Sequence, residues 1–81
     1  MINIEKLKSL LGRKVKLNDG KRDLDINIGE IARDMGCLSG DVLLGLKRLQ
    51  NSKEIKRLMP IGFSKEDYTL TVLESSSILN Q

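Results

Sequence analysis

Residues 25–51, DINIGEIARDMGCLSGDVLLGLKRLQN, decide the fold of this chain. Asn27 is a favourable N-cap, and Glu30 stands three residues later, as a capping box requires. The apolar residues that follow recur at helical spacing until Gly36, which is suited to the left-handed conformation that ends a helix. The stretch therefore predicts a helix that begins after Asn27, ends at Gly36 and buries Ile28, Ile31, Ala32 and Met35.

A second helix follows after a very short break. Ser39 is the predicted N-cap, and Asp41 lies in the first turn, where the helix dipole favours a negative charge. An apolar stripe then continues to about Asn51. Two helices joined by a three-residue turn form a helix-turn-helix. The spacing of Ala32, Gly36 and Val42 fits that motif, and the stripe consists of Val42, Leu43, Leu46 and Leu49.

The residues before this motif predict a helix and a short strand. Apolar residues at helical spacing indicate a helix from about Asn3 to about Leu17. The sequence Asn-Asp-Gly at 18–20 then ends it, although the same residues suit a hairpin turn between two strands. We favour the helix. Next, Leu24 and Ile26 alternate with polar residues, which is typical of a half-buried strand.

Two further strands are predicted after the motif. Ile55, Leu58 and Met59 indicate the first strand, and residues 68–73, YTLTVL, indicate the second. Two strands in this place form a wing. We therefore predict an α+β winged helix-turn-helix with three helices, a short strand and a C-terminal β-hairpin. The domain is expected to cover residues 1–73, and residues 74–81 are expected to form a disordered polar tail.

Composition restricts the classes of function. With 81 residues, the chain has room for one small core. It has one cysteine, Cys37, and no histidine, so an internal disulfide, a zinc site and histidine-based catalysis are not expected. We predict no catalytic residues, no metal and no cofactor. Cys37 is expected to be a buried apolar residue of the turn. No membrane segment or signal peptide is recognisable, which predicts a cytoplasmic or nuclear protein.

Charge is distributed in blocks, although the net charge is only +3. Residues 6–22 are mostly basic, residues 23–46 are mostly acidic, and residues 47–57 are again basic, with Glu54 as their one acid. We call residues 47–57 the basic segment. If the fold brings the two basic blocks together, they form one positive face. The alternative is an ordinary solvated surface.

The run of residues 25–36, followed by VLLGLKRLQ at 42–50, resembles winged-helix domains in general. Leu49-Gln50 with Glu54-Ile55, closing on residues 68–73, is similar to the winged-helix segment that follows the motor in some RecQ-family DNA helicases. The resemblance implies a DNA-binding accessory module of a larger helicase or repair protein. The chain lacks that family's zinc-binding cysteines and its motor motifs, and it has few aromatic residues at the wing tip.

In a winged helix, the second helix of the motif enters the DNA major groove. Its outward positions are predicted to be Ser39, Gly40, Asp41, Leu44, Gly45, Lys47 and Arg48. Few of these residues read base edges well, so we expect contact with duplex or structured DNA mainly through phosphates. The predicted DNA-binding residues are Ser39, Lys47, Arg48, Lys53, Lys56, Arg57 and Lys65.

A protein-interaction domain is the alternative function. In that case Leu44, Ile61 and Phe63 form an exposed apolar patch for a partner protein. Two positions are possible for the Phe63 side chain. It stacks on a base at the wing tip, or it packs in the core, and we favour the core. We favour DNA as the partner and predict no small-molecule ligand.

Overall fold

The computed structural model describes residues 2–81 and has the predicted α+β architecture of three helices and a three-stranded antiparallel sheet. Among these residues, no helix combines the length and apolar character that a membrane span needs. The fold is compatible with a winged helix. In chain order the elements are α1 (Ile4–Leu17), β1 (Asp23–Asn27), α2 (Ile28–Met35), α3 (Ser39–Asn51), β2 (Ile55–Pro60), β3 (Asp67–Val72) and a 3₁₀ turn (Ser77–Asn80).

The sheet has the strand order β1-β3-β2. Leu24 lies opposite Leu70, and Ile55 lies opposite Val72. All four side chains are buried, so they share the face that packs against the helices. The opposite face carries the polar residues of β1. The period-2 pattern at residues 23–27 therefore correctly predicted a strand with one buried face.

α1 begins and ends close to the predicted residues. The Asn3 side chain caps its first turn by accepting from the Lys6 amide at 3.1 Å. After Leu17, the amides of Asn18 and Gly20 both donate to the Val15 carbonyl. The hairpin alternative for residues 15–20 is therefore wrong, because these bonds close a helix end.

α2 begins and ends where the sequence predicts. Asn27 Oδ1 accepts from the Glu30 amide at 2.9 Å. Gly36 has a φ of 67°, in the left-handed region that favours glycine. The reciprocal half of the capping box does not form within residues 2–81. Instead, Asn27 Nδ2 donates to Asp67 Oδ1 at 3.0 Å and ties the start of α2 to β3.

The start of α3 differs from the prediction. Ser39 is the first helical residue, and Leu38 occupies the N-cap position. The Asp41 carboxylate accepts from the Leu38 amide, and Ser39 Oγ donates to the Glu66 carboxylate at 3.2 Å. The predicted cap at Ser39 is therefore wrong, because its hydroxyl is bound by the β2–β3 loop.

The core lies between the helices and one face of the sheet. Leu7 and Leu11 of α1 are fully buried, as are Val42 and Leu46 of α3. Burying a leucine side chain stabilises the fold by about 1.5–3 kcal/mol. The predicted apolar stripe of α3 is confirmed, except that Leu43 is only half-buried. The other buried apolar residues are Val15, Leu24, Ile26, Ile28, Ile31, Ala32, Leu49, Ile55, Leu70, Val72 and Ile78.

One predicted outward position of α3 points inward. Gly45 is buried. A Cβ atom at Gly45 would lie 3.0 Å from a Leu7 methyl group and 3.1 Å from an Ile2 methyl group. The absence of a side chain lets α1 approach α3 closely at this position. Cys37 is half-buried against the core and is a free thiol, which agrees with its predicted packing role only in part.

Residues 74–81 fold against the domain, which corrects the expectation of a disordered tail. Ile78 is completely buried, and the 3₁₀ turn packs on α1. A Cβ atom at Gly12 would lie 2.7 Å from the Ile78 carbonyl oxygen. A glycine in the middle of α1 therefore makes room for the turn. Its cost of about 1 kcal/mol to the helix serves a long-range contact.

Candidate nucleic-acid interface

The basic segment runs from the last turns of α3, through the α3–β2 turn, into the first half of β2. Every basic side chain in it is exposed to solvent. The structure thus leaves five of the seven predicted DNA-binding residues exposed along one continuous segment of the chain. They are Lys47, Arg48, Lys53, Lys56 and Arg57.

Backbone hydrogen bonds hold the α3–β2 turn in place. The Ser52 amide and hydroxyl both donate to the Arg48 carbonyl, at 3.0 and 2.9 Å. The Lys53 amide donates to the Gln50 carbonyl, and the Glu54 amide donates to the Leu49 carbonyl at 2.9 Å. These bonds satisfy carbonyls at the end of α3 and give the turn a defined conformation.

Two basic residues of this stretch have an unusual backbone conformation. Lys53 has a φ of 60° and Arg57 a φ of 55°. Arg57 lies where the register between β2 and β3 shifts, between Lys56 and Met59. A bulge of this kind redirects a side chain out of the regular alternation of the strand. Few non-glycine residues of proteins adopt the left-handed conformation. Those that do are concentrated at functional sites.

The single acid of the basic segment is turned away from its basic neighbours. The Glu54 carboxylate accepts hydrogen bonds from the hydroxyls of Ser76 and Ser77 and from the Ser77 amide. The hydrogen bond from Ser76 is the main cause that lowers the pKa of Glu54 below its usual value. Glu54 is therefore held as a carboxylate by the 3₁₀ turn.

No basic side chain of the segment forms an ion pair within residues 2–81. The only ion pair among these residues joins Lys8 and Glu5 on α1, at 3.8 Å. The positive charges of the segment are consequently free for an anionic partner. Exposed amines and guanidinium groups without a carboxylate neighbour are the groups that bind phosphate oxygens.

The remaining two predicted residues lie at the other end of α3. Ser39 stands at its beginning, roughly 18 Å along the helix axis from Asn51. Lys65 is exposed in the β2–β3 loop, beside the Glu66 that binds Ser39. The structure therefore does not bring Ser39 and Lys65 together with the basic segment. Two carboxylates, Glu66 and Asp41, surround this end of α3 and make it unfavourable for phosphate.

Two lysines of the first basic block contact the 3₁₀ turn, which in turn contacts the basic segment. Lys8 Nζ donates to Ser77 Oγ at 3.1 Å, and Ser77 in turn binds Glu54. Lys16 Nζ donates to the Gln81 carbonyl at 2.8 Å. Two lysines of residues 6–22 thus hold the 3₁₀ turn on α1. These two lysines were expected to contribute to a positive face, but their amines stabilise the fold.

The alternative apolar patch is exposed. Phe63 has a relative exposure of 107%, so the expectation that it packs in the core is wrong. Phe63 lies in the loop between the end of β2 at Pro60 and the start of β3 at Asp67. Leu44 is 62% exposed and Ile61 is 38% exposed. Sequence reasoning missed three further exposed apolar side chains, Leu17, Leu38 and Met59, because apolar residues are buried by default.

Within residues 2–81, no group of three or more cysteine and carboxylate side chains is arranged to hold a metal ion. No family model matches this chain, and comparisons with curated proteins and with solved structures found no match either. The similarity to the RecQ winged-helix segment therefore stays a prediction.

Proposed function

We propose that this domain is a winged helix that binds duplex or structured DNA through its phosphate backbone. In this proposal the α2–α3 pair is the helix-turn-helix and the β2–β3 hairpin is the wing. The basic segment, residues 47–57, neutralises phosphates with Lys47, Arg48, Lys53, Lys56 and Arg57.

The arrangement of Glu54 is the main support for this proposal. An acid in the middle of five basic residues would normally pair with one of them and reduce the local potential. Here its three hydrogen bonds go to Ser76 and Ser77. The basic side chains are left exposed and without ion-pair partners among residues 2–81. This is the charge distribution that phosphate binding needs.

The proposal includes little reading of base sequence. The N-terminal half of a recognition helix supplies most base contacts in helix-turn-helix proteins. In α3 that half exposes Gly40 and Leu44, and it lies next to the carboxylates of Asp41 and Glu66. Such residues do not make bidentate contacts with guanine or adenine. Phosphate contacts orient a protein on DNA without specifying sequence.

A binding experiment with two matched variants tests this function. Labelled duplex, forked and single-stranded DNA are titrated at low salt with the wild type and with Arg48→Gln/Lys56→Gln/Arg57→Gln. The control is Lys6→Gln/Arg13→Gln/Lys21→Gln, which removes the same charge from exposed residues of the first basic block. We expect the first variant to lose affinity for every duplex sequence alike and the control to retain most of it. Equal losses in both variants would contradict the proposed interface.

A protein-interaction surface is the second candidate, because Phe63 and Leu44 are exposed. Single exposed apolar residues are common, whereas an exposed apolar patch marks an interaction site. Under this alternative the wild type binds no DNA even at low salt. Leu44→Asp would then abolish capture of a partner protein from cell extract, with unchanged thermal stability. Arg33→Asp is the control, since Arg33 is exposed on α2 and belongs to neither proposed surface.

A further inference from the structure

We propose that β1 binds an extended peptide of alternating basic and apolar residues, which adds a fourth strand to the sheet. This surface lies at the edge of the sheet opposite β2 and is independent of the proposed DNA interface. The proposal rests on the free edge of β1, on a groove beside it and on the charge of that groove.

The hydrogen-bonding pattern defines which groups of β1 are free. The Val72 amide donates to the Arg22 carbonyl, and the Ile28 amide donates to the Glu66 carbonyl. In an antiparallel pair of strands, every second pair of opposite residues is hydrogen-bonded. Since Leu24 lies opposite Leu70, these bonds show that the even-numbered residues of β1 are the ones bonded to β3. Residues 23, 25 and 27 therefore direct their amides and carbonyls away from β3.

Asp25 is the centre of this edge. The Asp23 carbonyl is already occupied by Asn18 Nδ2 at 3.0 Å. The Asn27 carbonyl belongs to the start of α2, because an N-cap carbonyl accepts the first helical bond. Asp25 offers both an amide and a carbonyl, so a residue placed opposite it in an antiparallel strand can make two hydrogen bonds. The backbone N–H of Asn27 offers a further donor two residues away.

Open space accompanies the edge. A groove of about 470 Å³ runs between the end of α1 and β1. A second groove of about 300 Å³ continues it towards the β2–β3 loop, and both share Lys14 and Asp25. Together they form one trough beside the strand, which we call the β1 groove. Its wall on the α1 side contains Lys14 and the exposed Leu17.

The charge of the β1 groove identifies the partner. Its lining includes four carboxylates and one amine, that of Lys14. Within residues 2–81, the Asp23 and Asp67 carboxylates accept hydrogen bonds only from the neutral side chains of Thr71 and Asn27, so no ion pair compensates their charges. Basic residues of a partner meet complementary charge here. The four carboxylates belong to Asp23, Asp25, Glu30 and Asp67.

The same charges exclude a second copy of β1 as the added strand. Antiparallel pairing of two β1 edges would place aspartates beside aspartates, and like charges on adjacent strands are destabilising. A foreign strand with lysine or arginine opposite Asp25 has the opposite effect. The residues between those basic positions point to the other face, towards Leu24, Ile26 and Leu17, so they are apolar. This gives the alternating pattern of the peptide.

Backbone methylation tests the proposal, because it separates strand pairing from simple charge attraction. The probe is a short acetylated and amidated peptide of alternating lysine and valine. In the proposed antiparallel pairing, the lysines opposite β1 bond to it through their backbone amides, while the valine amides point outward. N-methylation of the lysines should weaken binding on the order of tenfold, since several hydrogen bonds are lost. N-methylation of the valines should leave affinity nearly unchanged.

Protein variants and hydrogen exchange complete the test. Asp25→Lys should weaken binding of the unmethylated peptide several-fold, and Lys14→Glu should strengthen it, whereas Asp34→Lys, an exposed site on α2, should not change it. The peptide should also slow exchange of the Asp25 amide. No detectable binding, equal weakening by both methylation patterns, or equal effects of Asp25→Lys and Asp34→Lys would overturn the proposal.

Discussion

Asn27 connects three elements through one side chain. Its Oδ1 accepts from the Glu30 amide, which caps α2, and its Nδ2 donates to Asp67 at the start of β3. The residue also ends β1. Asn3 offers a natural comparison, because its Oδ1 makes the same kind of cap on α1 and its side chain bonds to no other element within residues 2–81.

Asn27→Ala should therefore destabilise the domain more than Asn3→Ala does. Loss of an N-cap alone costs about 0.5–2 kcal/mol, and the Asp67 bond adds about 0.5–1.5 kcal/mol at Asn27. Urea denaturation of both variants measures the difference. Equal midpoints for the two variants would mean that the bond to Asp67 contributes nothing to stability.

The 3₁₀ turn depends on contacts with two distant elements. It packs on α1 above Gly12, and Glu54 in the α3–β2 turn binds its N-cap, Ser76, and its first residue, Ser77. It therefore fixes the orientation of the one acid in the basic segment. The proposed DNA interface thus depends on residues 74–81, which lie outside the domain boundary expected from sequence.

Gly12→Ala should destabilise the domain, although alanine favours helices. The new Cβ would meet the Ile78 backbone oxygen, and overpacking of this kind costs about 1–3 kcal/mol. Gly40→Ala is the control, because no atom lies within 4 Å of a Cβ at that position. It should gain about 0.5–1 kcal/mol. If thermal melts show Gly12→Ala to be as stable as Gly40→Ala, the turn does not pack closely on α1.

Glu54 should make stability depend on acid pH. Its folded pKa is lowered from 4.5, so its contribution is present above that value and is lost as pH falls through the lower, folded pKa. Glu54→Gln should be less stable than the wild type near neutral pH, and the gap should narrow at about pH 3. Urea denaturation at both pH values measures it. A gap that stays constant with pH would contradict the role of the carboxylate charge.

Local signals predicted most of the elements. The ends of α2 are set by Asn27 and Gly36, whose capping bonds involve residues nearby in the sequence. The alternation of polar and apolar residues at 23–27 predicts β1 because the strand buries only one face. The 3₁₀ turn has no such signal. Ile78 is buried because Gly12 leaves space sixty-six residues earlier in the chain and because Glu54 binds Ser76 and Ser77. Neither cause is visible in residues 74–81 themselves.

At the scale of the whole molecule, the sheet separates two kinds of edge. β2 carries Lys56 and Arg57, while β1 carries Asp23 and Asp25. β3 lies between them, so the two edges are about 10 Å apart. The acidic and basic blocks of the sequence thus place negative charge at one edge of the sheet and positive charge at the other. The two proposed partners, anionic DNA and a basic peptide, would therefore bind at different edges of the sheet.

The candidate interface could be predicted only where it is continuous in sequence. Lys47 to Arg57 follow one another around a single turn, so their proximity needs no knowledge of the fold. Ser39 and Lys65 were assigned from the general geometry of winged helices. The specific contact of Ser39 with Glu66 changes the charge around them. Phe63 could not be placed, because its exposure depends on the length of the β2–β3 loop.

The salt dependence of DNA affinity tests the central claim most directly. Each phosphate that the basic segment neutralises contributes a slope of about −0.9 to log K against log salt concentration. The measurement compares the wild type with Arg48→Gln/Lys56→Gln/Arg57→Gln on one duplex, with Lys6→Gln/Arg13→Gln/Lys21→Gln as the control. The account predicts a slope that becomes shallower by about one unit for each lost phosphate contact, and a nearly unchanged slope in the control. Absence of DNA binding, or an unchanged slope in the first variant, would contradict it.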